Sequence, residues 1–88
     1  MFEIYDISKI PILDLHGEIK DFAIIRINDF INDNIRLKNR YIGIIHGKGS
    51  GVLKNATQDT LRKNKFVEDF KIYYFNDGMT IAKLKETN

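Results

Sequence analysis

Apolar and polar positions follow two different periods along the chain, and together they predict strands joined by helices. Short apolar runs at 12–15 and 41–45 have the length and composition of buried strands. Between them, from 18 to 38, apolar residues including Ile19 recur every three or four positions, which predicts an amphipathic helix covering one face of a sheet. A thinner apolar face from 52 to about 65 predicts a second, peripheral helix.

The last third of the chain predicts a hairpin. Residues 66–75 alternate as in a strand, Asn-Asp-Gly at 76–78 is a turn signal, and 79–84 is a final strand. The predicted order is β-α-β-α-β-β, in which the first two strands are parallel neighbours in a βαβ unit. With both helices on one face, the other face is partly open, and Tyr73 and Phe75 either pack there or stack on nucleobases.

The ends of the chain are predicted from weaker patterns. Residues 1–10 alternate at Phe2 and Ile4, which indicates an edge strand or an arm lying over the sheet. We expect the domain itself to span 11–85 and the tail at 86–88 to fray.

Composition excludes several classes of protein. The chain has 88 residues, enough for one domain with a single core, and no cysteine, which excludes disulfides, thiolate metal sites and a cysteine nucleophile. No apolar run approaches the roughly 20 residues of a membrane span, and the N-terminus lacks a signal-peptide pattern. We therefore expect a cytoplasmic protein with no membrane partner, and we take a monomer as the expected state.

The strongest candidate for chemistry is the glycine-rich loop between the second strand and the second helix. Its glycines let backbone N–H groups approach a ligand closely, and the helix that follows turns the positive end of its dipole toward the same point. The spacing is not that of a Walker motif, so a nucleoside triphosphate site is not expected. The predicted phosphate-binding residues are Gly47, Lys48, Gly49, Ser50, Gly51 and Lys54.

The two histidines are predicted to share a site. His16 ends the first strand and His46 the second, each before a glycine, and parallel neighbouring strands bring both to the same carboxyl edge of the sheet. Asp14 lies two positions before His16 and points to the same side of its strand. It would orient an imidazole, act as a base, bind a divalent metal with a histidine, or accept hydrogen bonds from backbone N–H groups.

These motifs resemble those of the Small MutS-Related (Smr) domain family over about residues 12–85. The matching stretches are LDLHG at 13–17, HGKGSGVL at 46–53 and GMTIAKL at 78–84. The resemblance identifies a stand-alone or excised Smr domain. It implies an α/β (α+β) two-layer sandwich with a four-stranded mixed sheet, similar to the C-terminal domain of translation initiation factor three.

The resemblance also implies nucleic-acid binding and, in many members, endonuclease activity on DNA or RNA, including messenger RNA at stalled ribosomes. The motif leucine-aspartate-x-histidine falls on 13–16, and histidine-glycine-x-glycine falls on 46–49. Asp14, His16 and His46 are therefore the expected catalytic residues. The chain departs from the family at 76–79, where a pair of glycines is usual. RNA or DNA is the expected partner, and the ribosome is a further candidate.

Three functions stay open at this point. A phosphodiester hydrolase would use the histidines for proton transfer. It would need no metal for RNA, whose 2′-hydroxyl can attack, whereas nicking of DNA favours a divalent metal such as Mg²⁺. The alternatives are a noncatalytic module that binds nucleic acid or a ribosome, and a binder of small phosphorylated molecules.

Overall fold

The structure is a computed structural model that describes residues 6–87, which form one four-stranded mixed sheet and two helices. The predicted element order β-α-β-α-β-β is confirmed. The elements in chain order are β1 (Ile12–Asp14), α1 (Lys20–Arg36), β2 (Tyr41–Ile45), α2 (Val52–Lys63), β3 (Val67–Tyr73) and β4 (Asn76–Leu84). Neither helix in this part of the chain is long and apolar enough to cross a membrane.

The strand order in the sheet is β1-β2-β4-β3. β1 and β2 are parallel, with Asp14 opposite Ile45, as the βαβ pattern predicts. β4 runs antiparallel to both β2 and β3, and Met79 near its start lies opposite Ile45. The carboxyl ends of β1 and β2 and the beginning of β4 therefore meet at one edge of the sheet.

Both helices pack on one face of the sheet and form the main core with it. Ile27 of α1 is fully buried, whereas Ile25, two positions earlier, is 56% exposed, so the predicted amphipathic period holds. Ile19 is an exception, because it is the extended N-cap residue of α1 and is 61% exposed. The fully or nearly buried members of this core are Leu13, Leu15, Ala23, Ile27, Ile31, Ile42, Ile44, Leu61, Ala82 and Leu84.

The opposite face of the sheet carries a smaller core. Met79, Ile81 and Tyr73 are buried there, and Ile7 and Ile10 from the N-terminal segment pack against them. The edge strand or arm predicted for residues 1–10 depends on Phe2 and Ile4, which lie outside the described residues, so it stays a prediction. Tyr73 is only 7% exposed, so packing rather than base stacking is its role.

The predicted hairpin turn was wrong in position. The turn is Tyr74 and Phe75, and β4 begins at Asn76, so the predicted turn residues belong to the strand. Within the strand, the Asn76 side-chain oxygen accepts a hydrogen bond from the Gly78 amide at 2.9 Å. A Cβ on Gly78 would lie 3.3 Å from the Gly47 carbonyl carbon, so the glycine allows close packing and does not mark a turn.

The other predicted boundaries differ by one or two residues. α1 lies within the predicted 18–38, α2 ends before 65, and β1 ends before 15. β3 is likewise shorter than the predicted 66–75.

Ile27→Ala is expected to lower the free energy of unfolding by about 2–5 kcal/mol, because it leaves a cavity in the main core. Ile25→Ala on the same helix is the matched control, and its exposed position predicts a change within about 0.5 kcal/mol. Urea unfolding followed by circular dichroism measures both. Equal losses in the two variants would contradict the assigned helix orientation.

Candidate functional site

An open cleft of about 540 Å³ lies where β1 and β2 end side by side. One wall is residues 16–20, which lead into α1, and the other is residues 46–54, which lead into α2. His16, His46 and the glycine-rich loop therefore line the same cleft, as the positions of the two motifs at parallel strand ends predict. Asp14 is not among the lining residues.

Two helix N-termini open into this cleft. α1 begins at Lys20 and α2 at Val52, and both residues line it. No side chain of the N-cap residue bonds to the first turn of either helix. The first amides of a helix have no partner within it, and they carry the positive end of the dipole. The Val52 amide donates to the Ser50 hydroxyl at 3.4 Å, and the other N–H groups of the two first turns, with their partial positive charge, face the cleft end of each helix.

The loop backbone divides into a fixed part and an available part. The amides of His46 and Gly47 both donate to the Gly78 carbonyl at 2.9 Å, so they are committed to β4. The amides of residues 48–51 donate to no acceptor within residues 6–87. Gly47 has a φ of 83°, a left-handed conformation that favours glycine, so a glycine is needed here for the backbone to turn. Among the loop residues predicted to bind phosphate, Gly47 therefore has its amide bonded within the protein, whereas residues 48–51 have theirs available.

His46 is buried, with 5% of its surface exposed, and both ring nitrogens have partners inside the protein. Nδ1 lies 2.9 Å from the Gly47 carbonyl oxygen, and Nε2 lies 2.8 Å from the Thr80 hydroxyl. A carbonyl only accepts, so Nδ1 carries the proton, and in the neutral ring Nε2 accepts from Thr80. Burial lowers the pKa of His46 and the charge of Lys54 adds to this, against the opposing effects of the Gly47 carbonyl and Asp77.

His16 and Asp14 differ from His46 in exposure, because both side chains are open to solvent. The Asp14 carboxylate accepts a hydrogen bond from the backbone N–H of His16 at 2.8 Å. Of the alternatives considered for Asp14, this contact corresponds to the one in which the carboxylate accepts a hydrogen bond from a backbone N–H group. It holds the chain at the point where β1 ends and where His16 enters the cleft.

The charged side chains that line the cleft are predominantly basic. Lys20, Lys48 and Lys54 line it, and Glu18, the acidic residue among the described lining residues, is ion-paired with Arg26 at 3.3 Å. The sequence did not single out Lys20, because a lysine at a helix start has no distinguishing local signal. Its proximity to a histidine that ends the preceding strand is the feature that would have drawn attention to it.

Lys48 has an internal partner. Its ammonium lies 3.2 Å from the carboxylate of Asp77, which belongs to the stretch where the sequence departs from the family pattern. Both side chains are about 70% exposed, so the pair is screened by water and contributes little to stability.

The residues around the cleft do not fit a resident divalent metal. Within residues 6–87, no three His, Cys, Asp or Glu side chains are grouped closely enough to hold an ion. The carboxylates of Asp14, Glu18 and Asp77 are already bound to a backbone amide, to Arg26 and to Lys48, respectively.

The model of the Smr domain family matches residues 13–85. The chain belongs to the Smr domain family. It is similar to Endonuclease MutS2 of a Geobacillus species, at 38% identity over 76 residues, and to Endonuclease MutS2 of Symbiobacterium thermophilum, at 35% identity over 79 residues. These matches cover 83% and 86% of this chain but only 10% of each relative, so this Smr domain corresponds to a small part of those proteins.

Solved structures confirm the fold. The crystal structure of the Smr domain of Thermus thermophilus MutS2 superposes with a TM-score of 0.84 at 26% identity, covering 86% of this chain and 99% of that one. YdaL, a stand-alone small MutS-related protein from Escherichia coli, gives a TM-score of 0.83 at 19% identity, covering 90% of this chain and 70% of that one. The second similarity is one of fold alone. The two-layer arrangement with a four-stranded mixed sheet is thus the Smr fold.

Thr80→Val is expected to destabilise this Smr domain by about 1–3 kcal/mol, because it leaves the buried Nε2 of His46 without a partner. Thr57→Val is the matched control. Thr57 is also fully buried, but its hydroxyl has no hydrogen-bond partner within residues 6–87, so its removal is expected to be neutral or stabilising. Chemical denaturation measures both, and a harmless Thr80→Val would contradict the assigned hydrogen bond.

The lowered pKa of His46 predicts that stability falls on acidification. As the pH falls, the unfolded chain takes up the proton before the folded protein does. The contribution of His46 to the free energy of unfolding is therefore complete above the ordinary histidine pKa of 6.5. It is lost as the pH falls through the lower pKa of the folded state. The slope from this group is at most about 1.4 kcal/mol per pH unit. The stability gap between the wild type and His46→Gln should narrow at acidic pH. An NMR titration midpoint for His46 at or above 6.5 would contradict the prediction.

Proposed function

We propose that this Smr domain binds nucleic acid in the cleft and cleaves its phosphodiester bonds as an endonuclease. The observation that supports this best is the convergence, at one edge of the sheet, of an exposed histidine, several lysines, two helix N-termini and the available loop amides. Such a site suits a phosphate with a proton-transfer group beside it. The name Endonuclease MutS2 of the relatives points to the same class of activity.

The loop and the lysines hold the phosphate. The N–H groups of residues 48–51 and of the first turn of α2 approach its oxygens, and Lys48 and Lys54 neutralise the charge that grows in the transition state. Lys20 adds charge from the opposite wall. Because these contacts are made to phosphate, they do not distinguish one base sequence from another, and they weaken as the salt concentration rises.

His16 transfers the proton. Imidazole is the side chain best suited to take or give a proton near neutral pH, and that of His16 is exposed where the cleft opens. His46 acts through the loop, because both of its ring nitrogens already have partners. Asp14 acts through the backbone of His16. Two of the three residues expected to be catalytic are therefore assigned positioning roles.

RNA, including messenger RNA, is the substrate that this set of groups fits best. Its 2′-oxygen attacks the neighbouring phosphorus while His16 takes the 2′-hydroxyl proton, and the bond to the 5′-oxygen breaks as that oxygen receives a proton from solvent. This route needs a base and charge stabilisation. No step is assigned to a metal, because the donor set does not form a cation site. Nicking of DNA would need an activated water in addition.

One observation favours a second function, that of a noncatalytic module which grips nucleic acid or a ribosome. His46 is buried with both ring nitrogens bonded, and Asp14 does not line the cleft, so among these three residues only His16 has an exposed side chain in the cleft. Efficient cleavage usually needs an acid as well as a base. The module would keep the phosphate contacts and lack turnover.

His16→Ala is expected to reduce the cleavage rate of labelled single-stranded RNA by about 10²- to 10⁴-fold while leaving affinity nearly unchanged. The reason is that His16 acts on the proton, whereas the loop holds the phosphate. The measurement is single-turnover cleavage and salt-dependent binding, each with Mg²⁺ or with EDTA, and with matched DNA and supercoiled plasmid as further substrates.

Lys48→Ala serves as the binding variant, and Lys85→Ala at the opposite edge of the sheet is its control of equal charge. Weaker binding in the first variant alone supports the cleft. If the wild type binds nucleic acid in a salt-sensitive way but cuts no substrate, the result contradicts the endonuclease and supports the noncatalytic module. Absence of binding to any polynucleotide would overturn both functions and favour a small phosphorylated ligand.

A further inference from the structure

The turn between β3 and β4 lies at the same edge of the sheet as the cleft. β4 runs antiparallel to β2, so the start of β4 lies beside the end of β2, and the turn residues Tyr74 and Phe75 come immediately before that start. Two residues after Phe75, Asp77 reaches the ammonium of Lys48, which lines the cleft. Two residues of extended chain span roughly 7 Å, so Phe75 lies about that far from Asp77 along the strand. The turn and the glycine-rich loop are therefore close enough to contact neighbouring nucleotides of one strand.

Both turn residues present aromatic surface to solvent. Tyr74 is 76% exposed and Phe75 is 63% exposed, although large aromatic side chains are usually covered. The sequence pattern placed the turn further along, so it could not show that these two rings form the tip of the hairpin.

The rings are held in place by an anchored neighbour. Tyr73 is buried in the smaller core, and the ring of Phe75 packs edge-on against it, with centroids 5.7 Å apart. Phe75 in turn meets Tyr74 edge-on at 5.0 Å. This chain of contacts runs from the core to the surface, and it reduces the rotational freedom that a ligand would otherwise have to remove on binding.

We propose that Tyr74 and Phe75 form a stacking platform for an unpaired nucleobase of the strand whose phosphate lies in the cleft. The proposal rests on the proposed function and extends it to a substrate class, because it selects single-stranded nucleic acid. Every base has a flat face that stacks on an aromatic ring, whereas the bases of a duplex are already stacked on each other. The platform therefore tolerates any sequence and discriminates against paired strands.

The test is the affinity of the platform variants for ligands with and without bases. The probes are a fluorescent single strand of 2′-O-methyl RNA, whose blocked 2′-oxygen prevents cleavage, its blunt duplex, and an abasic strand of the same length and charge. Phe75→Ala and Tyr74→Ala should each weaken binding of the base-bearing strand by at least about fivefold. Binding of the abasic strand should stay unchanged, and Phe75→Trp should retain the affinity.

Phe22→Ala is the matched control, because Phe22 is an aromatic side chain that is 57% exposed on α1 and does not line the cleft. Circular dichroism checks that each variant is folded. Equal weakening of the abasic and the base-bearing strand would overturn the platform, since the loss would then be electrostatic or structural.

Unchanged binding of all ligands by the platform variants would also overturn the platform, and would leave the turn as a surface for a protein. In that case Lys48→Ala still weakens binding if the proposed function is right. A wild type that binds no polynucleotide would overturn both proposals together.

Discussion

The geometry of the cleft depends on the hydrogen bonds that the Gly78 carbonyl accepts. This carbonyl accepts hydrogen bonds from the amides of His46 and Gly47. Two residues further along β4, the Thr80 hydroxyl forms a hydrogen bond with the His46 ring. Together these bonds tie the end of β2 to the start of β4 and fix the angle at which the loop leaves the sheet. The amides that follow, at 48–51, have no acceptor within residues 6–87 and belong to the loop that lines the cleft. The proposed ligand site is thus shaped by hydrogen bonds that lie within the protein.

Much of the fold was readable from the sequence because its signals are local or periodic. The helical period separates Ile27 from Ile25, and the βαβ order alone requires parallel strands whose ends bring His16 and the glycine-rich loop together. The turn between β3 and β4 was misplaced for an equally physical reason. Asn76 and Gly78 have the chemistry of a turn, but here one makes a hydrogen bond inside the strand and the other allows β4 to approach the loop.

The roles of the site residues were less readable, because they depend on contacts between distant parts of the chain. The histidine-glycine motif looks the same whether the imidazole faces a ligand or a buried hydroxyl, and the partner Thr80 lies 34 residues away. Likewise, nothing near Lys20 in the sequence shows that α1 begins at the wall of the cleft. Motifs fix which residues gather at a site, whereas tertiary packing decides which of them can touch a ligand.

Under the proposed function, the ion pair between Lys48 and Asp77 turns phosphate binding at this loop into an exchange of partners. An arriving phosphate takes the place of a carboxylate that belongs to the protein, so the lysine contributes only the difference between the two contacts. Salt screens the internal pair as well as the external one, and the two effects partly cancel. In the proposed site, this lysine therefore adds less to the salt dependence of binding than an unpaired lysine would.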